Sequence, residues 1–407
     1  MSGSSILRLN MYVVYLLLLC ILVADSVLGK PILRPSRGHN RYGRYMIKFM
    51  DGCDVADTAR NMNKHFSDYN MNTKVRHQYK RSFHGVCVED MSLGALRWMM
   101  KQGCIEYMEE VGMVKATLDP EPITMKDGNY LNWGLDRITD KVYDSDYNYN
   151  PARTGNETEI YIVDSGVRRT HLEFGGRAYY LNTFNDPLET DDCFGHGTQT
   201  SGVAIGTWRG TATMAKVTSV KVLDCQGEGT SDDLLTALNK ILDDRPYGNA
   251  VVSMSLTIDV DYSYIRDAIV DLINSSFVVV ASAGNYNDDG CYYFPAGYSQ
   301  YGVIGVGAIN ARGNKASFSN HGSCVDIYAP GANIYTATNE GDDQLKKLSG
   351  TSFSTPFVSG AAAMLLEEGF SPFDVKNVLI SDSTTTVDIG NLPANSHNRI
   401  LFVESKK

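Results

Sequence analysis

The sequence has no block of lysine and arginine. Its 37 basic side chains are scattered among 47 acidic ones for a net charge of −10, which argues against nucleic acid as the main partner. It has no CxxC pair and no CxxC/HxxxH spacing, which argues against a zinc site. Only 12 of its 407 residues are proline, with 43% hydrophobic and 21% charged, so a collagen-like, low-complexity or wholly disordered chain is excluded. No repeat of fixed period occurs. No apolar run reaches the roughly 20 residues that a membrane helix needs. The one notable run, residues 12–24 (YVVYLLLLCILVA), follows Arg8 and precedes small and polar residues. It fits the apolar region of a secretory signal, with cleavage after Gly29, and the rest is expected to be soluble and exported.

What is present is unevenly spread. Up to Lys115 there are 16 Lys and Arg against 10 Asp and Glu; beyond it there are 21 against 37. A small basic piece thus precedes a large acidic one, as expected for a chain too long for one domain of roughly 100–200 residues. After a Pro-, Gly- and Arg-rich stretch over 30–40, expected to be loose, the pattern predicts strands at 44–50, 75–79, 83–88 and 104–108 and helices at 55–69 and 92–102. That order is βαββαβ, a small two-layer α+β sandwich. Residues 116–132 have no periodicity and read as a linker. Beyond them, continuous apolar strands at 160–163, 217–223, 250–254, 277–281, 302–306 and 324–328 alternate with helical stretches at 231–242, 264–273 and 352–367. This is the signature of a parallel sheet buried on both faces.

Three segments at the ends of these elements carry chemistry. Ile162-Val-Asp164-Ser-Gly166 places a carboxylate at the carboxyl end of a buried strand, where open α/β sheets bind ligands. Phe194-Gly-His196-Gly-Thr198 sets a histidine between glycines before a small-residue helix. Ser349-Gly-Thr-Ser352 opens an apolar helix with a serine at its N-terminus, where unpaired amides favour developing negative charge. Serine is a weak nucleophile alone; histidine can take its proton, and a buried carboxylate can hold the imidazole in the right tautomer.

These three blocks, in this order, resemble those of the subtilisin-like serine proteases, and the resemblance spans nearly all of residues 132–403. Trp133-Gly-Leu-Asp-Arg-Ile138, Val278-Val-Val-Ala-Ser-Ala-Gly-Asn285, Ala316-Ser-Phe-Ser-Asn320 and Tyr328-Ala-Pro-Gly331 are most similar to the proteinase K branch. The resemblance implies a three-layer α/β fold with a mainly parallel sheet. It implies Ser352 as nucleophile, His196 as acid and base, Asp164 as orienting carboxylate, and an oxyanion hole made by the Asn285 amide and the Ser352 N–H. Ser253, Ser255, Leu256 and Thr257 would flank an extended substrate, and Ser282, Ala283 and Gly284 would wall the pocket for the residue before the scissile bond. No acid lies in these walls, which favours apolar or broad specificity over the dibasic choice of the kexin and furin branch.

Several residues depart from the family pattern. Gln199 stands for a histidine, Phe353-Ser354 for Met-Ala, and Phe357 for a histidine. Thr257 stands where glycine is usual and could crowd the substrate.

The seven cysteines beyond the signal fall three and four on either side of the linker. Four cysteines allow three pairings; the aqualysin-like resemblance implies Cys193–Cys225 and Cys291–Cys324, while Cys53, Cys87 and Cys104 leave one thiol over. The resemblance also implies a structural calcium held by Asp326 with carbonyls near Tyr301 and Val303, although this stretch is two residues longer than the family's, and a cis Phe294–Pro295 bond. No organic cofactor is expected. Asn156 and Asn274 begin glycosylation sequons.

The expected organisation is a signal at 1–29, a propeptide inhibitor domain at 30–116 with the ferredoxin-like βαββαβ order, and a catalytic domain at 117–407. The propeptide would be cut off autocatalytically between Val114 and Lys126. The expected product is a secreted, monomeric endopeptidase acting on proteins and peptides, with its own propeptide as intramolecular inhibitor and no stable membrane span. A second reading is a self-cleaving binding or regulatory protein whose prodomain stays bound.

Overall fold

The structure is a computed structural model, described here for residues 32–34, 43–117, 133–141, 148–181, 192–245, 249–386 and 388–406. The expected signal and most of the linker lie outside these residues. The chain divides into two compact units, one ending at Gly112 and one beginning at Met113.

The first unit contains β1 (Ile32–Arg34), β2 (Tyr45–Phe49), α1 (Val55–Asp68), β3 (Lys74–Tyr79), β4 (Gly85–Glu89), α2 (Leu93–Met99) and β5 (Ile105–Glu110). The expected βαββαβ order forms one sheet of order β1-β5-β2-β4-β3. The addition is β1, in a stretch expected to be loose, which pairs in parallel with β5. Both helices start where a side chain satisfies the first amides: Asp54 accepts from Asp57 N, and Ser92 from Ala95 N. Their apolar faces close the core, with Ala59, Met62 and Phe66 of α1 and Leu96 and Met99 of α2 packed against Ile47, Val86 and Val88. A disulfide joins Cys53 to Cys104, and Cys87 stays a buried thiol in β4.

The second unit opens with β6 (Met113–Ala116) and α3 (Trp133–Thr139). It continues with β7 (Glu159–Asp164), β8 (Ala178–Tyr180), α4 (His196–Ile205), β9 (Lys216–Lys221), β10 (Glu228–Thr230) and α5 (Ser231–Asp244). Next come β11 (Ala250–Met254), β12 (Leu256–Thr257), α6 (Ser263–Asn274), β13 (Phe277–Ser282), β14 (Ile304–Ile309) and β15 (Ile327–Pro330). A hairpin of β16 (Ile334–Ala337) and β17 (Leu345–Leu348) then leads to α7 (Thr351–Glu368) and α8 (Pro372–Asp382).

Seven strands form one sheet in the order β15-β14-β13-β11-β7-β9-β8, and every neighbouring pair is parallel. Alternate residues Ile160, Ile162, Val251, Val278, Val280, Ile304 and Val306 share a cluster with Val203 and Ala204 of α4 and Phe353, Phe357 and Val358 of α7. The intervening residues, among them Tyr161, Val252 and Val279, are buried too and point to the other face, on the side of α5 and α6. The result is the expected three-layer α/β fold. Among the described residues no helix is long and apolar enough to cross a membrane.

Candidate active site

The carboxyl end of β7 delivers Asp164, and the first turn of α4 delivers His196. His196 Nδ1 lies 2.8 Å from both carboxylate oxygens of Asp164, and both side chains are buried. A carboxylate can only accept here, so Nδ1 carries a proton, and in the neutral imidazole Nε2 is the nitrogen that presents a lone pair. That nitrogen has no hydrogen-bond partner among the described residues. The approach is close enough to demand glycine at 197, where a Cβ would stand 2.0 Å from the Gly166 carbonyl.

Sequence reading did not single out Asp192, yet it sets this helix end. Its Oδ1 accepts from Gly195 N and Ser165 Oγ, each at 2.7 Å. Its Oδ2 accepts from Thr198 N at 2.8 Å and Thr198 Oγ1 at 2.7 Å. A buried carboxylate thereby serves the α4 amides that lack intrahelical partners. The only sequence signal was its position four residues before His196.

Ser352 is the second residue of α7. The helix has no side-chain cap of its own. Instead Asn285, just beyond β13, accepts from Thr351 N and Thr351 Oγ1 at 2.9 Å each. Those two bonds fix the amide's oxygen and turn its nitrogen outward, where Asn285 Nδ2 donates to the Thr117 carbonyl at 3.1 Å. The Ser352 hydroxyl donates to the same carbonyl oxygen and lies 3.2 Å from Ser255 O. The hydroxyl is therefore turned to Thr117 and forms no bond to His196 Nε2. The Ser352 amide likewise forms no hydrogen bond to Thr117 O.

Thr117 ends a segment that occupies the site as an extended strand. Residues 113–116, placed in the expected propeptide domain at 30–116, form β6, which lies between β10 and β12 in an antiparallel sheet of three. Glu228 pairs with Lys115 and Thr230 with Met113 on one side; Leu256 pairs with Ala116 and Thr257 with Lys115 on the other. Ala116 N donates to Gly227 O at 3.0 Å and Thr117 N to Ser255 O at 3.3 Å. Lys115 also reaches Glu228 at 3.0 Å across an exposed pair. Thr257 does not push the strand away. Its side chain is buried and its backbone keeps the ladder.

Ser282 lies under the Thr117 side chain. Its hydroxyl is 3.3 Å from Leu256 O and 3.1 Å from Thr117 Oγ1. With its own proton on Leu256 O, Ser282 Oγ is left to accept from Thr117. Ala283 and Gly284 continue this wall, and Gly284 adopts φ +104° with a would-be Cβ 2.5 Å from Asn320 Nδ2. Ser253 does not join the group: it sits inside β11, where Ser359 Oγ reaches its hydroxyl at 2.9 Å. Phe353 packs its ring against His196 at 6.0 Å between centroids, Phe357 is buried in the main core, and Gln199 is buried within α4. The disulfides Cys193–Cys225 and Cys291–Cys324 are both formed. Phe294–Pro295 is cis. Asn156 and Asn274 are exposed.

The residues expected to hold calcium come together around a different cation. Lys376 of α8 places Nζ 3.0 Å from Asp326 Oδ2, 2.7 Å from Val303 O and 2.9 Å from Ser299 O. The Tyr301 carbonyl is not among these acceptors. The set does not fit a calcium ion as well, because the ammonium already stands among its oxygens.

Residues 155–398 match the family described as Peptidase S8, subtilase. The extracellular serine proteinase of Thermus sp. (strain Rt41A) is 33% identical over 80% of this chain and 76% of its own length. The cuticle-degrading serine protease of Arthrobotrys oligospora is 33% identical over 73% of this chain and 72% of its own. Among solved structures, a cold-adapted subtilisin-like serine proteinase superposes with a TM-score of 0.63 at 31% identity, covering 68% of this chain and all of the other.

Proposed function

The chain belongs to the subtilase family and is a serine endopeptidase, and from that premise we propose that Asp164, His196 and Ser352 cut its own Thr117–Leu118 bond before cutting other proteins. The observation that carries this reading is the Thr117 carbonyl held between the Ser352 hydroxyl and the Asn285 amide.

The reaction follows from the groups present. Ser352 Oγ turns from Thr117 O to His196 Nε2, gives up its proton there and attacks the Thr117 carbonyl carbon. Negative charge gathers on Thr117 O, where Asn285 Nδ2 already donates; one such donor is typically worth ~10²–10³ in turnover. Asp164 stabilises the imidazolium and keeps the ring oriented. The bond to the Leu118 nitrogen then breaks as His196 protonates the leaving amine, which leaves an ester between Thr117 and Ser352. Water, deprotonated by His196, hydrolyses that ester, releasing a Thr117 carboxylate and restoring the serine.

Protein substrates would enter as β6 does, by adding a strand between β10 and β12. Ladder bonds are indifferent to side chains, so discrimination falls to the pocket. Ser282 favours a small residue with a β-hydroxyl, and threonine fits it in the protein's own sequence. The first unit, through Gly112, would be the propeptide inhibitor, since the segment that follows it directly fills the cleft. The apolar run at 12–24 would direct secretion, in keeping with relatives named as extracellular. The exposed sequon residues Asn156 and Asn274 would accept glycans. Subtilases commonly bind calcium, but the residues around Asp326 support no step through it.

Casein digestion by purified wild type, His196→Ala and Ser352→Ala tests the reading. Digestion by wild type alone is the expected result. A wild type that cuts itself once and then leaves casein intact over prolonged incubation would instead make it a regulatory protein with a retained prodomain.

A further inference from the structure

The cradle around Asp326 has the composition of a hard-cation site: one carboxylate and two backbone carbonyls, all oxygen. Asp326 precedes β15 and its side chain is 7% exposed. Ser299 lies in the helical turn Ala296–Tyr301, and Val303 precedes β14. No charge of the main chain could balance the carboxylate, and a buried carboxylate without a partner is costly.

Lys376 meets that need by hydrogen bonding. An ammonium has three N–H groups and no acceptor. Here they find Val303 O at 2.7 Å, Ser299 O at 2.9 Å and Asp326 Oδ2 at 3.0 Å, with Ser299 Oγ also at 2.9 Å. The carboxylate is satisfied in turn, by Gly305 N at 2.9 Å and by Ser299 Oγ at 2.9 Å from each of its oxygens. These spacings are those of N–H···O bonds, longer than the ~2.3–2.6 Å of calcium–oxygen contacts. The lysine stem comes from α8, so the cation is tied to the chain and cannot diffuse away.

We propose that Lys376 is the resident cation of this cradle, an intramolecular ammonium that does a metal's work and makes the locus indifferent to chelators. What it holds matters to the substrate cleft. The loop between the Phe294–Pro295 bond and Val303 is clamped at Ser299 and Val303. At its other end Phe294 exchanges two backbone hydrogen bonds of 2.8 Å with Ile258, the residue after the cleft strand β12. The ammonium therefore braces one side of the substrate sheet.

The test is thermal unfolding of the full chain in excess EDTA and in excess CaCl2, with all variants carrying Ser352→Ala so that self-digestion cannot contribute. Three further changes are compared: Asp326→Asn, Lys376→Ala, and the two together. Asp326→Asn is expected to lower Tm by the same amount in both media, because no calcium acts through this carboxylate. Lys376→Ala is expected to lower Tm in EDTA by about 5 °C or more, with part of the loss recovered in CaCl2 as the ion enters the emptied cradle, and no recovery in the double variant. A calcium-dependent rise that wild type shows and Asp326→Asn lacks would overturn the proposal, because it would mean that the metal displaces the lysine. Comparing the shift between the two media from one variant to the next cancels calcium bound elsewhere. If Lys376→Ala does not fold, the comparison of wild type with Asp326→Asn still decides.

Discussion

Two buried aspartates stand beside α4, and they divide the work of presenting His196. Asp164 bonds the imidazole itself, whereas Asp192 bonds the backbone from which the imidazole projects. Replacing Asp192 by Ala strips four donors of their acceptor at a buried site. The expected cost is about 1–3 kcal/mol of stability, with kcat falling more than KM rises, measurable by denaturant unfolding and steady-state kinetics on one peptide. Asn285 also has a double role, since its oxygen serves the α7 N-terminus and its nitrogen the Thr117 carbonyl. Asn285→Ala should lower kcat by ~10²–10³. At Ser282 the question is selectivity. Peptides ending Val-Lys-Ala-Thr and Val-Lys-Ala-Val before the scissile bond differ only in a hydroxyl for a methyl. Wild type should prefer threonine by about three- to tenfold in kcat/KM, the value of one neutral hydrogen bond, and Ser282→Ala should erase the preference. Equal rates with wild type would remove Ser282 from specificity.

At the scale of elements, legibility followed burial. The strands of the main sheet could be read because they are buried on both faces and therefore continuously apolar, as in Val278–Val280. β10 and β12 could not. They are three and two residues long, and what defines them is backbone pairing with β6, which leaves no side-chain period. Glu228-Gly-Thr230 looks like a turn until its partner strand is known. Asp164, His196, Ser352 and Asn285 were visible because each lies at the end of a readable strand or helix. Asp192 and Lys376 were not: Asp192 lies only three to six residues from the α4 amides it serves but in no recognisable motif, and Lys376 sits 50 residues from Asp326. The reading that Thr257 could crowd the substrate rests on the bulk of its side chain, and here the strand passes it with backbone ladder bonds intact. The Cys193–Cys225 bridge closes a 32-residue separation right before the α4 start. Removing both cysteines should cost about 2–4 kcal/mol, seen as a lower Tm.

At the scale of the whole molecule, the proposed reading is an enzyme whose first substrate is its own chain. Met113–Thr117 occupies the cleft with the carbonyl of Thr117 already against Ser352 and Asn285, and the positive excess up to Lys115 precedes a negative remainder. Once cut, the two pieces should separate faster as salt rises, because attraction between opposite net charges is screened within about 10 Å at 0.1 M ionic strength; size-exclusion chromatography across a salt series would register it. Salt-independent retention would assign the association to apolar contact instead. The central claim, that Ser352 cuts at Thr117, is tested most directly by the intact mass of the purified protein from wild type and from Ser352→Ala. The account predicts a wild-type product beginning at Leu118 and a Ser352→Ala chain still continuous across that bond. A wild-type product beginning elsewhere, or a Ser352→Ala chain cut at the same place, would contradict it.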